Sequence, residues 1–322
     1  MQSDELYMRR ALELARHGEL DASPNPMVGA VIVTPDGTII GEGWHRRCGE
    51  SHAEVNAVNS VRDKAMLRQA TMYVTLEPCS HFGRTPPCAD MIVAHGIPRV
   101  VIGTSDPFAK VSGRGIAKLL AAGTDVRVGV LEDECKALNR KFFTAHTEKR
   151  PYITLKWAQT SSGNMNGHIS TPLSAMLVHR ERALHDAILV GSGTVIADNP
   201  RLDTRLFAGK SPFRVILDRR GRVKGDAPVC SVDGAETVVC SDESLSDVLS
   251  GLYGRGVTSL LVEGGAAVLK SFLDAGLYDA IRVEVNPDES CGRNPMVKAP
   301  SLPAAPSSAM RVGHNLIYTE IR

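Results

Sequence analysis

The chain has 322 residues, 43% of them hydrophobic, and its 37 Lys and Arg against 36 Asp and Glu leave a net charge of +1. Such a length exceeds the usual single core, so two domains are expected, and the near-neutral balance argues against a general nucleic-acid binder, which would carry a basic surplus or stripe. No run approaches the ~20 apolar residues of a membrane span, and the start Met1-Gln2-Ser3-Asp4-Glu5 has acidic residues with no apolar stretch behind it, so neither a membrane partner nor a secretory signal is expected.

Taken in order, Asp4–His17 reads as an amphipathic helix, and Val28–Thr34 with Ile39–Gly43 as a hairpin across Pro35-Asp36-Gly37. Ser51 reads as an N-cap that places His52 and Glu54 in the first turn of the next helix. Strand Met72–Leu76 leads to Cys79, and a helix opens at Cys88. Strand Val100–Gly103, helix Gly115–Ala122, strand Val126–Val130 and helix Glu132–Phe142 follow, an alternation that predicts an α/β, three-layer domain with helices packed on a central sheet. The polar stretch Thr144–Pro151 ends in a proline that disfavours helix before it, which places domains at 1–146 and 147–322.

In the second half a strand begins at Tyr152. Ala187–Val190 runs into Gly191-Ser192-Gly193-Thr194, and Leu260–Glu263 into Gly264-Gly265 before a helix through Leu273. Pro300–Ser308 reads as a surface loop and Asn315–Ile321 as a closing strand. There is no internal repeat. Glycines after strands let backbone amides approach phosphate oxygens, although tight packing in turns is the default reading of them. The ordinary dinucleotide fingerprint fails, because Ile196 stands where it needs glycine or alanine.

The chemistry-bearing residues lie earlier: His52-Ala53-Glu54, Pro78-Cys79 and Cys88. One imidazole and two thiolates are the ligand set of a catalytic zinc that keeps a fourth position for water, and a neighbouring carboxylate moves protons without touching the metal. Residues two apart on a regular helix do not face one another, so His52 and Glu54 must sit at a helix start. Cys88 also opens a helix, where the dipole favours a thiolate. The competing readings are a capping box between Ser51 and Glu54 and cysteines that are merely buried. The remaining cysteines, Cys48, Cys135, Cys230, Cys240 and Cys291, follow no pattern and suit a reducing cytosol, so a cytoplasmic protein with small-molecule partners is expected.

The usual zinc signature has two residues between its cysteines, whereas here Ser80 through Pro87 intervene. With that insertion, Thr75–Cys88 closely resembles the deaminase half of the bifunctional riboflavin-biosynthesis deaminase/reductase family, as do Asn25–Ala30, Asp106-Pro107 and Gly113-Arg114-Gly115. Gly193–Pro200, Ile216-Leu217-Asp218 and Val262-Glu263-Gly264-Gly265 resemble its reductase half, so the likeness spans nearly the whole chain.

The resemblance implies a cytidine-deaminase-like domain followed by a dihydrofolate-reductase-like domain. The first would hydrolytically deaminate a phosphoribosylaminopyrimidine with zinc on His52, Cys79 and Cys88, Glu54 as proton shuttle, and Asn25, His81 and Arg84 as substrate contacts. The second would use NADPH to reduce the ribosyl group to ribityl. Its cofactor contacts would be Ala158, Thr194, Asp198, Arg219 and the turn from Gly265, with Arg219 the partner of the 2′-phosphate. Its substrate contacts would be Arg182, Leu202, Arg205 and Glu263, and Lys156 stands where an ammonium would steady a developing alkoxide. A homo-oligomer through the reductase halves is expected. Two departures motivate an alternative in which the second half only binds ligand or oligomerises: Ser162 replaces the family's common Asp, and the stretch that follows is shortened to Gly167–Thr171. A third reading, a nucleic-acid base deaminase, shares the metal centre but not the long loop between the cysteines.

Overall fold

Successive residues of a strand face opposite ways, and in Gly29–Val33 (β1) both sides are apolar: Ala30 and Ile32 enter one core, Val31 and Val33 the other. Such a strand must be covered twice. The helix Gln2–Arg16 (α1) supplies one cover through Met8, Ala11 and Leu12. The other cover comes from Ala53–Ser60 (α2), Cys88–His95 (α3) and Arg114–Ala121 (α4). Around β1 run Ile39–Trp44 (β2), Thr71–Leu76 (β3), Arg99–Thr104 (β4) and Asp125–Val128 (β5), in the order β2-β1-β3-β4-β5. β1 is antiparallel to both neighbours, while β3, β4 and β5 are parallel. The computed structural model describes residues 2–80, 86–108, 112–231, 234–303 and 305–322, which fall into two compact units, Met1–Glu148 and Lys149–Arg322.

Three local expectations are corrected. The N-cap of α2 is His52 rather than Ser51, and no side-chain cap bond forms there, so the capping box is absent. The helix expected over Glu132–Phe142 breaks into Glu132–Leu138 (α5) and Arg140–Glu148 (α6). The break is at Asn139, whose amide exchanges two 2.8 Å bonds with the backbone of Met27. Finally, α6 carries helix through 144–148, where a polar linker was expected.

The second unit contains one mixed eight-stranded sheet, ordered β12-β13-β11-β6-β10-β7-β8-β9. Its strands are Tyr152–Thr160 (β6), Ala187–Gly191 (β7), Phe213–Leu217 (β8), Thr237–Cys240 (β9), Ser259–Val262 (β10), Ala280–Asn286 (β11), Ser308–Val312 (β12) and Asn315–Ile321 (β13). From β11 to β9 all neighbours are parallel, and the hairpin β12-β13 adds an antiparallel edge. β12 begins at Ser308, the last residue of the expected loop. The helices Pro172–Ala183 (α7), Ser192–Asp198 (α8), Pro228–Ser231 (α9), Leu245–Gly254 (α10) and Ala266–Asp274 (α11) connect the parallel strands. Ile153, Leu155, Leu260 and Val262 point into one core, and Ile188, Val190, Ile216 and Leu261 into the other. In open sheets of this kind ligands sit at the carboxyl ends of parallel strands. No helix of the described residues is long and apolar enough to cross a membrane.

α1 is pinned to the first sheet by the buried Asp4, which accepts from Tyr73 Oη at 2.9 Å, from Arg99 Nη2 at 3.0 Å and from Arg127 Nη1 at 2.6 Å. Burial pushes its carboxyl upward, but bonds from Arg99 and Tyr73 and the charge of Arg127 outweigh that, and the net shift is downward. A depressed carboxylate stabilises the fold above its unfolded value near pH ~4 and loses that contribution as pH falls through the folded value. Asp4→Asn should therefore cost about 1–3 kcal/mol at neutral pH, the arginines being partly solvated. The gap to wild type should close under acid. Urea melts at a series of pH values measure this, and an Asn variant as stable as wild type at neutral pH contradicts the assignment.

Candidate active sites

Three elements bring the thiol and imidazole groups of the first unit together: His52 at the N-cap of α2, Cys79 just past β3, and Cys88 as first residue of α3. His52 Nδ1 lies 3.5 Å from Cys79 Sγ and 3.3 Å from Cys88 Sγ, and the three ligand atoms fall within 4.8 Å of one another. The extended backbone at His52 (φ −69°, ψ 165°) takes it off the helical repeat. This lets its imidazole and the Glu54 carboxylate serve one site despite lying two residues apart.

Close backbone packing fixes the approach. A Cβ on Gly43 of β2 would lie 2.3 Å from the Ala57 nitrogen and 2.6 Å from the Ala53 oxygen, so strand and helix start are in direct contact. A Cβ on Gly115 would lie 2.0 Å from the Pro78 carbonyl. Only glycine permits either approach. Buried Glu77, immediately before Pro78-Cys79, accepts from the amides of Gly115 at 2.9 Å, Gly113 at 3.0 Å, and Asp106 and Ile116 at 3.3 Å. It thereby fastens the end of β3 to the start of α4.

The electrostatics suit a cation. A hydrogen bond from Cys88, together with His52 and the Cys88 amide, lowers the Cys79 thiol, while sharing that proton raises Cys88. The Cys79 partner lifts His52 to about 9. Glu54, 3% exposed, is pushed to about 7, chiefly by burial and against the pull of His52. An imidazole nitrogen and two sulfurs, with one sulfur already close to thiolate, form the donor set zinc prefers, and its binding would release the remaining protons. The donors present fit that ion.

Sequence reasoning missed the group that orients Asn25. His45 is buried, and its Nδ1 lies 3.2 Å from the Ser51 carbonyl, a partner that can only accept. The proton therefore sits on Nδ1, and Nε2 accepts from Asn25 Nδ2 at 3.1 Å. This fixes the amide and keeps its oxygen out of that bond. Burial lowers the His45 pKa, in keeping with a neutral ring. The Asn139–Met27 exchange holds the same loop. His81 and Arg84 lie outside the described residues.

In the second unit Lys156 and Ala158 lie on β6, Thr194 and Asp198 in α8 after β7, Arg219 after β8, and Glu263 and Gly265 after β10. α11 starts after Gly264-Gly265 with no side-chain cap at Gly265, and the Thr194 hydroxyl lies 3.5 Å from where a Gly265 Cβ would be. Gly264 has a packing reason of its own, since its Cβ would meet Val268 Cβ at 2.7 Å. Bare amides at a helix start suit phosphate, and the site fits a dinucleotide. Ala158 is half-buried on β6 beside Glu284 of β11, while Asp198 ends α8 and Arg219 follows β8, both exposed and neither ion-paired with a described residue.

The substrate candidates form a tighter group. Arg182 grips Glu263 with two bonds, Nε–Oε1 at 3.1 Å and Nη2–Oε2 at 2.8 Å, and donates through Nη1 to the Asp203 carbonyl at 3.2 Å. Burial raises Glu263, but Arg182 and Lys156 outweigh it and the carboxyl ends up lowered. Arg205 pairs with Asp203. Leu202 carries its side chain into the core with Val190 and Ile216, so only its backbone is left for a ligand.

Both departures have a structural counterpart. Ser162 donates from its amide and hydroxyl to the Glu289 carboxylate at 2.8 and 2.7 Å, so an acidic group stands beside position 162 after all. The shortened segment is tied down at Ile169, whose carbonyl accepts from Asn286 and Asn315, and the residues just before it by Met165 N on Val297 O and Arg293 N on Asn166 O.

Residues 1–104 match the cytidine and deoxycytidylate deaminase zinc-binding region, and residues 151–289 the RibD C-terminal domain. The riboflavin biosynthesis protein RibD of Aquifex aeolicus is 42% identical over 88% of this chain and 87% of its own, and that of Escherichia coli strain K12 is 36% identical over 88% of each. Among solved structures, Acinetobacter baumannii RibD superposes with a TM-score of 0.89 at 30% identity over 99% of both chains. A Thermotoga maritima protein described as a diaminohydroxyphosphoribosylaminopyrimidine deaminase/5-amino-6-(5-phosphoribosylamino)uracil reductase gives 0.87 at 38% identity, over 99% of this chain and 98% of that one. With these matches covering both units, the chain belongs to the RibD family of riboflavin biosynthesis proteins.

Proposed function

We infer that the two units catalyse consecutive steps of riboflavin biosynthesis. The first deaminates 2,5-diamino-6-(5-phosphoribosylamino)pyrimidin-4-one hydrolytically. The second reduces the ribosyl group of the resulting 5-amino-6-(5-phosphoribosylamino)uracil to ribityl with NADPH. The observation that carries this reading is the convergence of His52, Cys79 and Cys88 beside buried Glu54 in a member of this family.

In the first site His52, Cys79 and Cys88 would hold zinc, whose Lewis acidity makes water nucleophilic near neutral pH. Burial raises the Glu54 carboxyl to about 7 against the pull of His52, which fits a group that takes up and releases a proton. That suits a shuttle to the ring nitrogen and then to the departing amine. Asn25, its NH₂ held by His45, offers its carbonyl oxygen to a substrate N–H. His81 and Arg84 complete the proposed contacts.

In the second site NADPH would supply the hydride. The uncapped start of α11 at Gly265, with Thr194, Ala158 and Asp198, is assigned to the cofactor, and exposed Arg219 to its 2′-phosphate. Lys156, close enough to Glu263 to lower its pKa, supplies positive charge for the developing alkoxide. Arg182, the backbone of Leu202, Arg205 and Glu263 are assigned to the substrate.

Seven unpaired cysteines and a thiol-dependent site suit a reducing cytoplasm. A homo-oligomer through the second unit is proposed on the family resemblance.

Product masses after incubation of the zinc-loaded protein with the pyrimidine, with and without NADPH, test the whole reading. Deamination alone is expected without NADPH and the ribityl product with it; retained zinc with no NADPH consumption removes the second activity. Glu54→Gln should stay folded and zinc-bound while deaminase turnover falls at least ~100-fold, and nearly normal turnover contradicts the shuttle. Cys88→Ser should lower zinc content, whereas Cys135→Ser, in an apolar core with Met8 and Val101, should not. Equal zinc in the two variants argues against the ligand set.

A further inference from the structure

We propose that Glu284 is a positioning residue of the second site: by gathering Ser170, Ser174 and Asn315 on one buried carboxylate, it sets the segment 167–171 against Lys156 and Ala158 and so aligns the reacting end of the cofactor for hydride transfer. This rests on the reductase reading above and adds to it a residue that the sequence did not single out.

Strand alternation fixes where Glu284 points. Ile153, Leu155 and Trp157 of β6 and Ile281 and Val283 of β11 turn into one core, so Lys156, Ala158 and Glu284 share the other face. Glu284 stands directly opposite Ala158 in the register, next along that face from the pair Arg282 and Lys156. Its carboxylate therefore lies beside the two β6 residues assigned to the developing alkoxide and to the cofactor.

The bonds it accepts determine the course of the segment. Glu284 is 2% exposed. Oε2 accepts from the Ser170 hydroxyl at 2.6 Å, and Oε1 from the Ser174 hydroxyl and the Asn315 amide. Asn315 also donates to the Ile169 carbonyl at 3.3 Å. Ser174 Oγ accepts from the Thr171 amide at 2.9 Å, the reciprocal half of the capping box of α7. A hydroxyl has one hydrogen to give, and the carboxylate outcompetes the Thr171 carbonyl at 3.2 Å for it. Three consecutive residues are thus fixed by one side chain: Ile169 through Asn315, Ser170 directly, and Thr171 through Ser174.

The use of an acid here points to direction rather than stability. The groups bonded to Glu284 among the described residues are all neutral, and Arg282 on the same face is turned to Glu181 at 3.6 Å. Burying an acid group with no cation bonded to it costs more than burying an apolar side chain of similar size. Three converging donors, however, need an acceptor that carries no hydrogen of its own. Glutamine there would present an NH₂ to one of those donors and turn part of the segment away. Hydride transfer is sensitive to such a shift, since a misplacement of ~1 Å can cost about 100-fold in rate. The cofactor's phosphates are assigned to the start of α11 and to Arg219, so a loosened segment should slow the reaction without releasing NADPH.

Reductase kinetics on the full-length, zinc-loaded protein with 5-amino-6-(5-phosphoribosylamino)uracil and NADPH are measured for wild type, Glu284→Gln, Ser170→Ala and Ser170→Thr. NADPH binding is titrated in parallel by fluorescence, which counts the folded sites. Glu284→Gln and Ser170→Ala should lower kcat by on the order of tenfold while both KM values stay within about twofold of wild type. Stoichiometry and Kd for NADPH should be those of wild type. Ser170→Thr, which keeps the hydroxyl, should recover most of the loss.

Four outcomes overturn the proposal: unchanged kcat, a rise in KM at unchanged kcat, a fall in kcat matched by a fall in NADPH stoichiometry, which is a structural role alone, or equal losses in Ser170→Thr and Ser170→Ala. Ser170 is half-buried and outside the strands and helices, so its variants keep the test usable should Glu284→Gln fail to fold. Wild-type protein that does not reduce the uracil compound removes the reductase reading and this proposal with it. That result is distinct from normal wild-type turnover with unaltered variants.

Discussion

The carboxylate of Glu77 is the constraint on which the first site depends. Its two oxygens accept from four backbone amides, those of Asp106, Gly113, Gly115 and Ile116. Those of buried Asp106 and Gly115 would otherwise be left unsatisfied at a cost of about 1–3 kcal/mol each. Because Glu77 directly precedes Pro78-Cys79, the same bonds that satisfy the loop also set where the first sulfur stands. Gly115 closes the arrangement, since any side chain there would push the Pro78 carbonyl away and carry Cys79 with it. The metal ligands are thus positioned by a strand end pressed onto a helix start, and the ligating residues have little freedom of their own.

The same logic explains how far the sequence could be read. His52, Glu54, Cys79 and Cys88 were legible because their chemistry is carried by residue type and short spacing, and the alternation of strands and helices in the first unit followed from period alone. What escaped depends on partners distant in sequence. Nothing in Glu132–Phe142 announces a break; the break exists because Asn139 bonds to Met27. Ser51 looks like an N-cap, but its carbonyl is taken by His45 and Asn56, and the chain stays extended through His52. In the second unit nothing in the sequence announces that Arg182 also binds Glu263 and the Asp203 carbonyl, which fixes where its remaining N–H groups point.

The departures at Ser162 and in the shortened segment each have defined partners in this chain. A serine cannot supply a carboxylate, yet Glu289 brings one to its amide and hydroxyl from another turn. The shortened stretch lacks length, but Asn164 and Gly167 bridge to Lys298 and Gly292, and Ser170 donates to Glu284 at 2.6 Å. Buried Glu284 also accepts from Ser174 in the first turn of α7 and from Asn315 of β13. The segment is therefore anchored at both ends, so its brevity does not by itself leave the site unformed.

Buried carboxylates in this chain sort by their partners, and the sorting separates structure from chemistry. Asp4, Asp203 and Glu263 each face arginine, and all three end up lowered although burial alone would raise them. Such groups stay ionised and act as fixed anchors. Glu54 faces two sulfurs and one imidazole, and burial lifts it to about 7; Asp106, beside Glu77 and Cys79, rises to about 6. Asp106 Oδ1 is engaged by the Phe108 amide at 2.7 Å, which holds the loop after β4. Glu54, bonded to its own amide and to Cys88, sits beside the ligand set and takes its raised affinity for a proton chiefly from burial. A group that must accept a proton and then surrender it within one turnover is better served by a carboxyl that no arginine holds as a fixed anchor.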